Sequence, residues 1–174
     1  AVKMVASFPK DQKIVFAPRI ASANAAPDSI YTVNSTSDLV DDNLADNVCQ
    51  ASPGICTLRA AIQQANAHPG PDVIQLQPDT TYLLGQIAHD GFITAGLIIT
   101  DPVTILGAGA NSTIIDGNAG TLHARVFNLT STVMISGVTI QHGFSPNVAG
   151  GIYNTGRLTL INSTLYSNTA SGLN

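Results

Sequence analysis

The chain has no glutamate and no tryptophan, and all eleven of its acidic residues are aspartate. Only 10% of its residues are charged, and its seven lysines and arginines form no cluster. Binding nucleic acid calls for concentrated positive charge; a formal charge of −4 spread over 174 residues argues against it. No apolar run approaches the roughly 20 residues a membrane-spanning helix needs. The scarcity of Glu and Lys also removes the usual material of exposed helices. What is present is 44% hydrophobic residues and 15 glycines, with abundant Ala, Thr, Asn and Ile. That mixture suits short strands joined by tight turns. The length is sufficient for one domain with its own core. Apolar residues recur from about residue 30 onward, which is incompatible with disorder there. The chain begins at Ala1 with no apolar leader region, as expected of a mature or trimmed chain.

Three regions follow from the pattern. Residues 1–29 hold all the lysines, Lys3, Lys10 and Lys13. They also hold one apolar stretch, Ile14-Val15-Phe16-Ala17, closed by Pro18. This reads as an N-terminal arm carrying a short strand. Residues 30–72 open with a strand, Ile30-Tyr31-Thr32-Val33, and continue into an acidic loop. The one strong helix signal covers 57–67. Thr57 is a suitable N-cap, and Leu58, Ala61, Ile62 and Ala65 fall on one face. His68-Pro69-Gly70-Pro71 ends it. From Val73 to residue 174 only short strands and turns are predicted.

The third region repeats. Ser112–Asn118 aligns with Gly137–Gly143 and then with Asn162–Asn168, each step being 25 residues. The apolar column is Ile115, Ile140, Leu165, and the turn column is Asn118, Gly143, Asn168, residue types that tolerate a left-handed backbone. A second column agrees: Val133-Met134-Ile135 recurs 25 residues later as Leu158-Thr159-Leu160, and Val103-Thr104-Ile105 precedes it by 30. The five extra residues fit a Gly/Ala-rich insertion at Gly107–Asn111. Such a period with several short strands per repeat is the signature of a solenoid. The expected fold is therefore all-β, a right-handed single-stranded parallel β-helix with a short N-terminal capping α-helix. Alternation places Val133, Ile135, Val138 and Ile140 inside and Met134, Ser136 and Thr139 outside.

The segment Cys56-Thr57-Leu58-Arg59-Ala60-Ala61 resembles the Cys-Ser-Leu-Arg-Glu-Ala (CSLREA) motif family of secreted and surface β-helix proteins, with Ala60 where the motif has Glu. Tyr31-Thr32-Val33-Asn34, Val73-Ile74-Gln75-Leu76 and Gly151-Ile152-Tyr153-Asn154 are similar to other parts of that family. The resemblance spans roughly 30–174. It implies a β-helix, an extracellular or cell-surface location, and a helix capping the first coil. It implies no activity.

Several candidate sites are open to two readings. Cys49 and Cys56 are either two reduced thiols or, as their isolation favours, a local disulfide formed in an oxidising compartment. Asp38, Asp41, Asp42 and Asp46 could converge on Ca²⁺, or could cap turns in a solvated loop. No other cofactor is implied. Glycoside hydrolysis needs two facing carboxylates. The coil candidates Asp90, Asp101 and Asp116 do not recur at the 25-residue step, so no catalytic residue is assigned and an enzyme is not expected. Arg125 and Arg157 could contact an anionic sugar but read as surface charges. His68, His89, His123 and His142 lie at turns or strand ends without ligand spacing. Asn34, Asn111, Asn128 and Asn162 lie in glycosylation sequons. A flat ice-binding array would need outward threonines, and Met134 interrupts Thr104 and Thr159. The expectation is a non-enzymatic extracellular structural protein whose partner is itself, assembled head to tail through the Ile14–Ala17 strand. The alternative is a surface adhesin or glycan-binding β-helix, with a polysaccharide lyase or glycosidase less favoured.

Overall fold

A computed structural model of the chain describes residues 26–86, 88–89 and 94–172. The arm strand Ile14–Ala17 and the coil candidate Asp90 lie outside these residues. In chain order the elements begin with β1 (Ile30–Thr32), α1 (Leu58–Ala67), β2 (Asp72–Gln75), β3 (Thr80–Leu83), β4 (Ala88–His89) and β5 (Thr94–Ile99). They continue with β6 (Val103–Leu106), β7 (Thr113–Asp116), α2 (Ala119–Leu122), β8 (Arg125–Leu129), β9 (Thr132–Ser136) and β10 (Thr139–Gln141). The last are β11 (Phe144–Ser145), β12 (Ile152–Asn154), β13 (Arg157–Ile161), β14 (Thr164–Tyr166) and β15 (Thr169–Ala170).

The chain is thus all-β in character, with its strands in parallel sheets. One sheet runs β1-β2-β6-β9-β13, a second β14-β10-β7-β3, a third β12-β8-β5-β4 and a fourth β11-β15. Every pairing is parallel except β4 with β5. The step read from the sequence is the pairing register itself. Ile115 faces Ile140 and Ile140 faces Leu165. Val133 faces Leu158 across one row and Val103 across the other. In the β2-β6-β9-β13 and β3-β7-β10-β14 series each row adds one strand, and equivalent side chains stack column upon column; the β11-β15 sheet has only two strands.

The core follows from that stacking. Val133, Ile135, Val138 and Ile140 are buried, as alternation requires, together with Ile74, Ile105, Ile115, Phe127 and Leu129. Thr139 departs from expectation: it is buried, because its hydroxyl donates to the Ala110 carbonyl (2.6 Å) in the Gly107–Asn111 insertion. The turn column also shifts. Asn118 is left-handed, but in the next two rows the left-handed residues are His142 and Ser167, one position earlier than Gly143 and Asn168. The asparagines serve instead as braces between rows. Asn118 donates to the Leu84 carbonyl, and Asn168 donates to the Ile140 carbonyl while accepting from the Gly143 N–H. Gly143 is needed for closeness rather than for its dihedral. A Cβ there would stand 2.1 Å from the Gly150 carbonyl oxygen. The single-turn helix α2 was not anticipated; it occupies the corner after the left-handed Asn118.

Helix α1 packs against β2 and β5 at the β1 end of the stack. Thr57 caps it, its hydroxyl accepting from the Ala60 N–H and donating to the Leu39 carbonyl. The predicted face, Leu58, Ala61, Ile62 and Ala65, is buried. No helix among the described residues is long and apolar enough to cross a membrane.

Candidate functional site

The acidic loop is assembled on α1 by hydrogen bonds. Gln63 accepts from the Asp41 N–H, and the fully buried Gln64 amide donates to Asp41 Oδ1 (2.7 Å), the Asn43 carbonyl (2.8 Å) and Asp46 Oδ1 (3.3 Å). Asp41 also accepts from the Asn43 and Gln50 N–H groups, Asp46 from the Val48 N–H, and Asp42 from the Gln50 side chain. The Asn43 and Val48 contacts are Asx-type turns closed locally, and those to Gln50 close the loop across eight or nine residues. The Gln64 amide nitrogen stands among three oxygens of the loop. Asp38 is drawn away altogether. Among the described residues, no three His, Cys, Asp or Glu side chains come together to hold a metal ion. The four aspartates proposed as calcium ligands are therefore not brought to one point.

Asp38 pairs with Arg59, the only charged residue of α1. Arg59 Nε and Nη2 donate to the two Asp38 oxygens at 2.7 and 2.8 Å, and its remaining donors reach the Gly96 and Gln86 carbonyls. Asp38 in turn accepts from the Gly85 and Gln86 N–H groups. The pair is nearly sealed from solvent, at 5% and 8% side-chain exposure. It joins the helix, the acidic loop and the strand edges near β3 and β5. Sequence reasoning did not single out Arg59. The available signal was a lone arginine on a helix with no other charge.

Cys49 and Cys56 form a disulfide that closes this loop. In the chain-entropy account a loop this short stabilises the fold by roughly 2–3 kcal/mol. Thiol titration of the denatured protein is expected to find none before reduction and two after it, with reduction lowering the unfolding free energy by that amount. Two thiols without reductant would refute the bond. Beside it, β1 and residues Asn47–Cys49 line a groove of about 280 Å³.

On the stack itself the structure pairs two residues that sequence analysis left apart. Asp116 accepts from His142 Nδ1 and Gln141 Nε2, both at 2.8 Å, and from the Asn118 N–H. Burial works to raise the Asp116 pKa, but these hydrogen bonds outweigh it and hold it below the usual carboxylate range. The 25-residue step sets Gln141 directly beside Asp116, so this contact was legible in the register. Among the described residues no nucleophile or second carboxylate is bonded to the pair. Asp101 accepts from the Gly70 N–H (2.8 Å). Arg125 is buried, bonded to Ser145 and stacked 4.7 Å from the Tyr153 ring centroid, not a surface charge.

Compared with protein-family models, curated proteins and solved structures, the chain matches none.

Of the sequon asparagines, Asn34, Asn111 and Asn162 are exposed. Asn34 bonds the Gly54 carbonyl and the Cys56 N–H, and Asn128 is fully buried in β8, where folded protein leaves no room for a glycan.

The two ends of the stack differ. At one end α1 and the acidic loop cover the core. At the other, β12, β13, β14 and β15 are each the last strand of a sheet. Ile135 and Ile140 are fully buried, but Leu160 and Leu165, the next residues in the same columns, are 38% and 49% exposed. Tyr166 is also exposed. Among the described residues nothing covers this edge.

Proposed function

We propose that this chain is a non-enzymatic extracellular structural protein, a right-handed single-stranded parallel β-helix that self-assembles head to tail. The parallel 25-residue register supports the solenoid reading, since strands 25 residues apart pair in three of the sheets from β7 onward. Parallel crossovers are almost always right-handed, which favours that hand. The resemblance around Cys56–Ala61 and the disulfide support an oxidising, extracellular setting.

The observation that carries assembly is the exposed row of Leu160, Leu165 and Tyr166 beside four sheet edges that have no outer partner among the described residues. Unpaired parallel edges with apolar side chains accept strands from other chains. The occupant proposed is the Ile14–Ala17 segment of a second copy. A contact between two different surfaces is heterologous and propagates into a filament unless it closes a ring.

Electron microscopy and sedimentation of the chain with and without residues 1–25 test this. Filaments that vanish on deletion are expected. A monodisperse monomer at high concentration with the segment intact overturns the proposal.

A further inference from the structure

The corner where β1 meets β2 buries a carboxyl group without an ion-pair partner among the described residues. Asp72, the first residue of β2, is 2% exposed, and neither of its carboxyl oxygens makes a well-formed hydrogen bond. The only described donor bearing on it is the Ser29 backbone N–H. Its titratable neighbours come from every segment packed on the corner: Asp28 before β1, Tyr31 on β1, His68 after α1, and Asp101 before β6. Two of these are carboxylates. Asp101 already accepts from the Gly70 N–H, and the Asp28 carboxylate lies so close to Gly70 that a Cβ there would stand 1.8 Å from its oxygen. Among the described residues no lysine or arginine pairs with it, and His68 is the one basic group that bears on it.

An ionised carboxylate in such a place loses its hydration and gains no counter-charge, which is expensive. The neutral acid escapes most of that cost. Yet this is the corner through which β1 is held: Asp28 N–H donates to the Pro71 carbonyl (2.8 Å), and Val73 N–H donates to the Ser29 carbonyl (2.9 Å). We propose that Asp72 is a proton-operated clamp on the first strand, closing β1 onto β2 when the carboxyl is neutral and loosening it when the carboxyl ionises.

The sign follows from the environment. Burial raises the Asp72 pKa above the usual carboxylate range, Asp28 and Asp101 push it further up, and the Ser29 N–H and His68 oppose them. The folded state therefore keeps its proton to higher pH than the unfolded chain does. Stability is greatest below the unfolded value of about 3.9 and falls as pH rises through the folded value.

The test is residue-resolved NMR on the intact chain. In the unmodified protein the Asp72 carboxyl carbon should titrate well above an ordinary aspartate. Amide exchange at Asp28 and Val73, corrected for intrinsic base catalysis, should lose protection by about tenfold for each unit of pKa elevation as Asp72 ionises. In Asp72→Asn that loss should vanish, and protection at neutral pH should exceed that of the parent. A normal titration in the unmodified protein overturns the proposal without any variant. So does Asp72→Asn protection at neutral pH equal to or below the parent's, or a loss of protection that added Ca²⁺ abolishes.

Discussion

Arg59→Ala is expected to lower the unfolding free energy by about 3–5 kcal/mol, the cost of breaking a buried ion pair from one side. The substitution strands Asp38 in a site only 8% exposed, and it leaves the Gly96 and Gln86 carbonyls without their guanidinium donors. The damage is not confined to one contact. Asp38 also ties down the Gly85 and Gln86 N–H groups, so the acidic loop, α1 and two strand edges lose a shared fastening. Arg59→Lys should recover only part of the loss, because a single ammonium cannot reach both carboxylate oxygens and two carbonyls at once. Removing both partners in Arg59→Ala/Asp38→Ala should cost less than the sum of the two single changes. Urea denaturation with reductant absent measures all four. A cost for Arg59→Ala below about 1 kcal/mol, the range of an exposed pair, would show that the guanidinium is solvated and not a structural fastening.

Ile140→Ala should cost about 2–5 kcal/mol, whereas Leu165→Ala should cost less than about 1 kcal/mol in dilute solution. The two residues stand in one column, 25 positions apart, and face each other in register. They differ in what lies above them. Ile140 is enclosed by Ile115 on one side and Leu165 on the other, while Leu165 is 49% exposed. Equal costs would mean that the terminal row is covered in solution by something outside the described residues. The same pair bears on assembly. If a second copy seats on this edge, the Leu165→Ala cost should grow with protein concentration, because the association itself stabilises the fold. The Ile140→Ala cost should not change in the same way.

Much of this architecture is legible in the sequence for a mechanical reason. A stack in which each row lies on the next must place similar residues at equal spacing, so Ile115, Ile140 and Leu165 announce their contact before any coordinates exist. Alternation within a strand then sorts Val133 and Ile135 inward. The helix was equally plain, since Thr57 and the spacing of Leu58, Ala61, Ile62 and Ala65 are local signals. Where Thr139 points was not local. Its burial depends on the Ala110 carbonyl 29 positions away, in an insertion that breaks the period. The turn column failed by one residue because asparagine has two uses at a corner, as a left-handed residue at Asn118 and as a side-chain brace at Asn168.

The sequence by itself determined the row length, the inward columns, the capping helix and the pairing of two isolated cysteines as an option, because each rests on spacing along the chain. The tertiary structure alone decided what the charges do. Four aspartates in one loop look alike in sequence, yet Asp38 is claimed by Arg59, while Asp41 and Asp46 converge on the Gln64 amide. Asp72 looks like any strand-initial aspartate until three segments close over it and leave it without an ion-pair partner among the described residues. The energy of a charge depends on distance and on what replaces its water, and neither quantity is written in the order of residues.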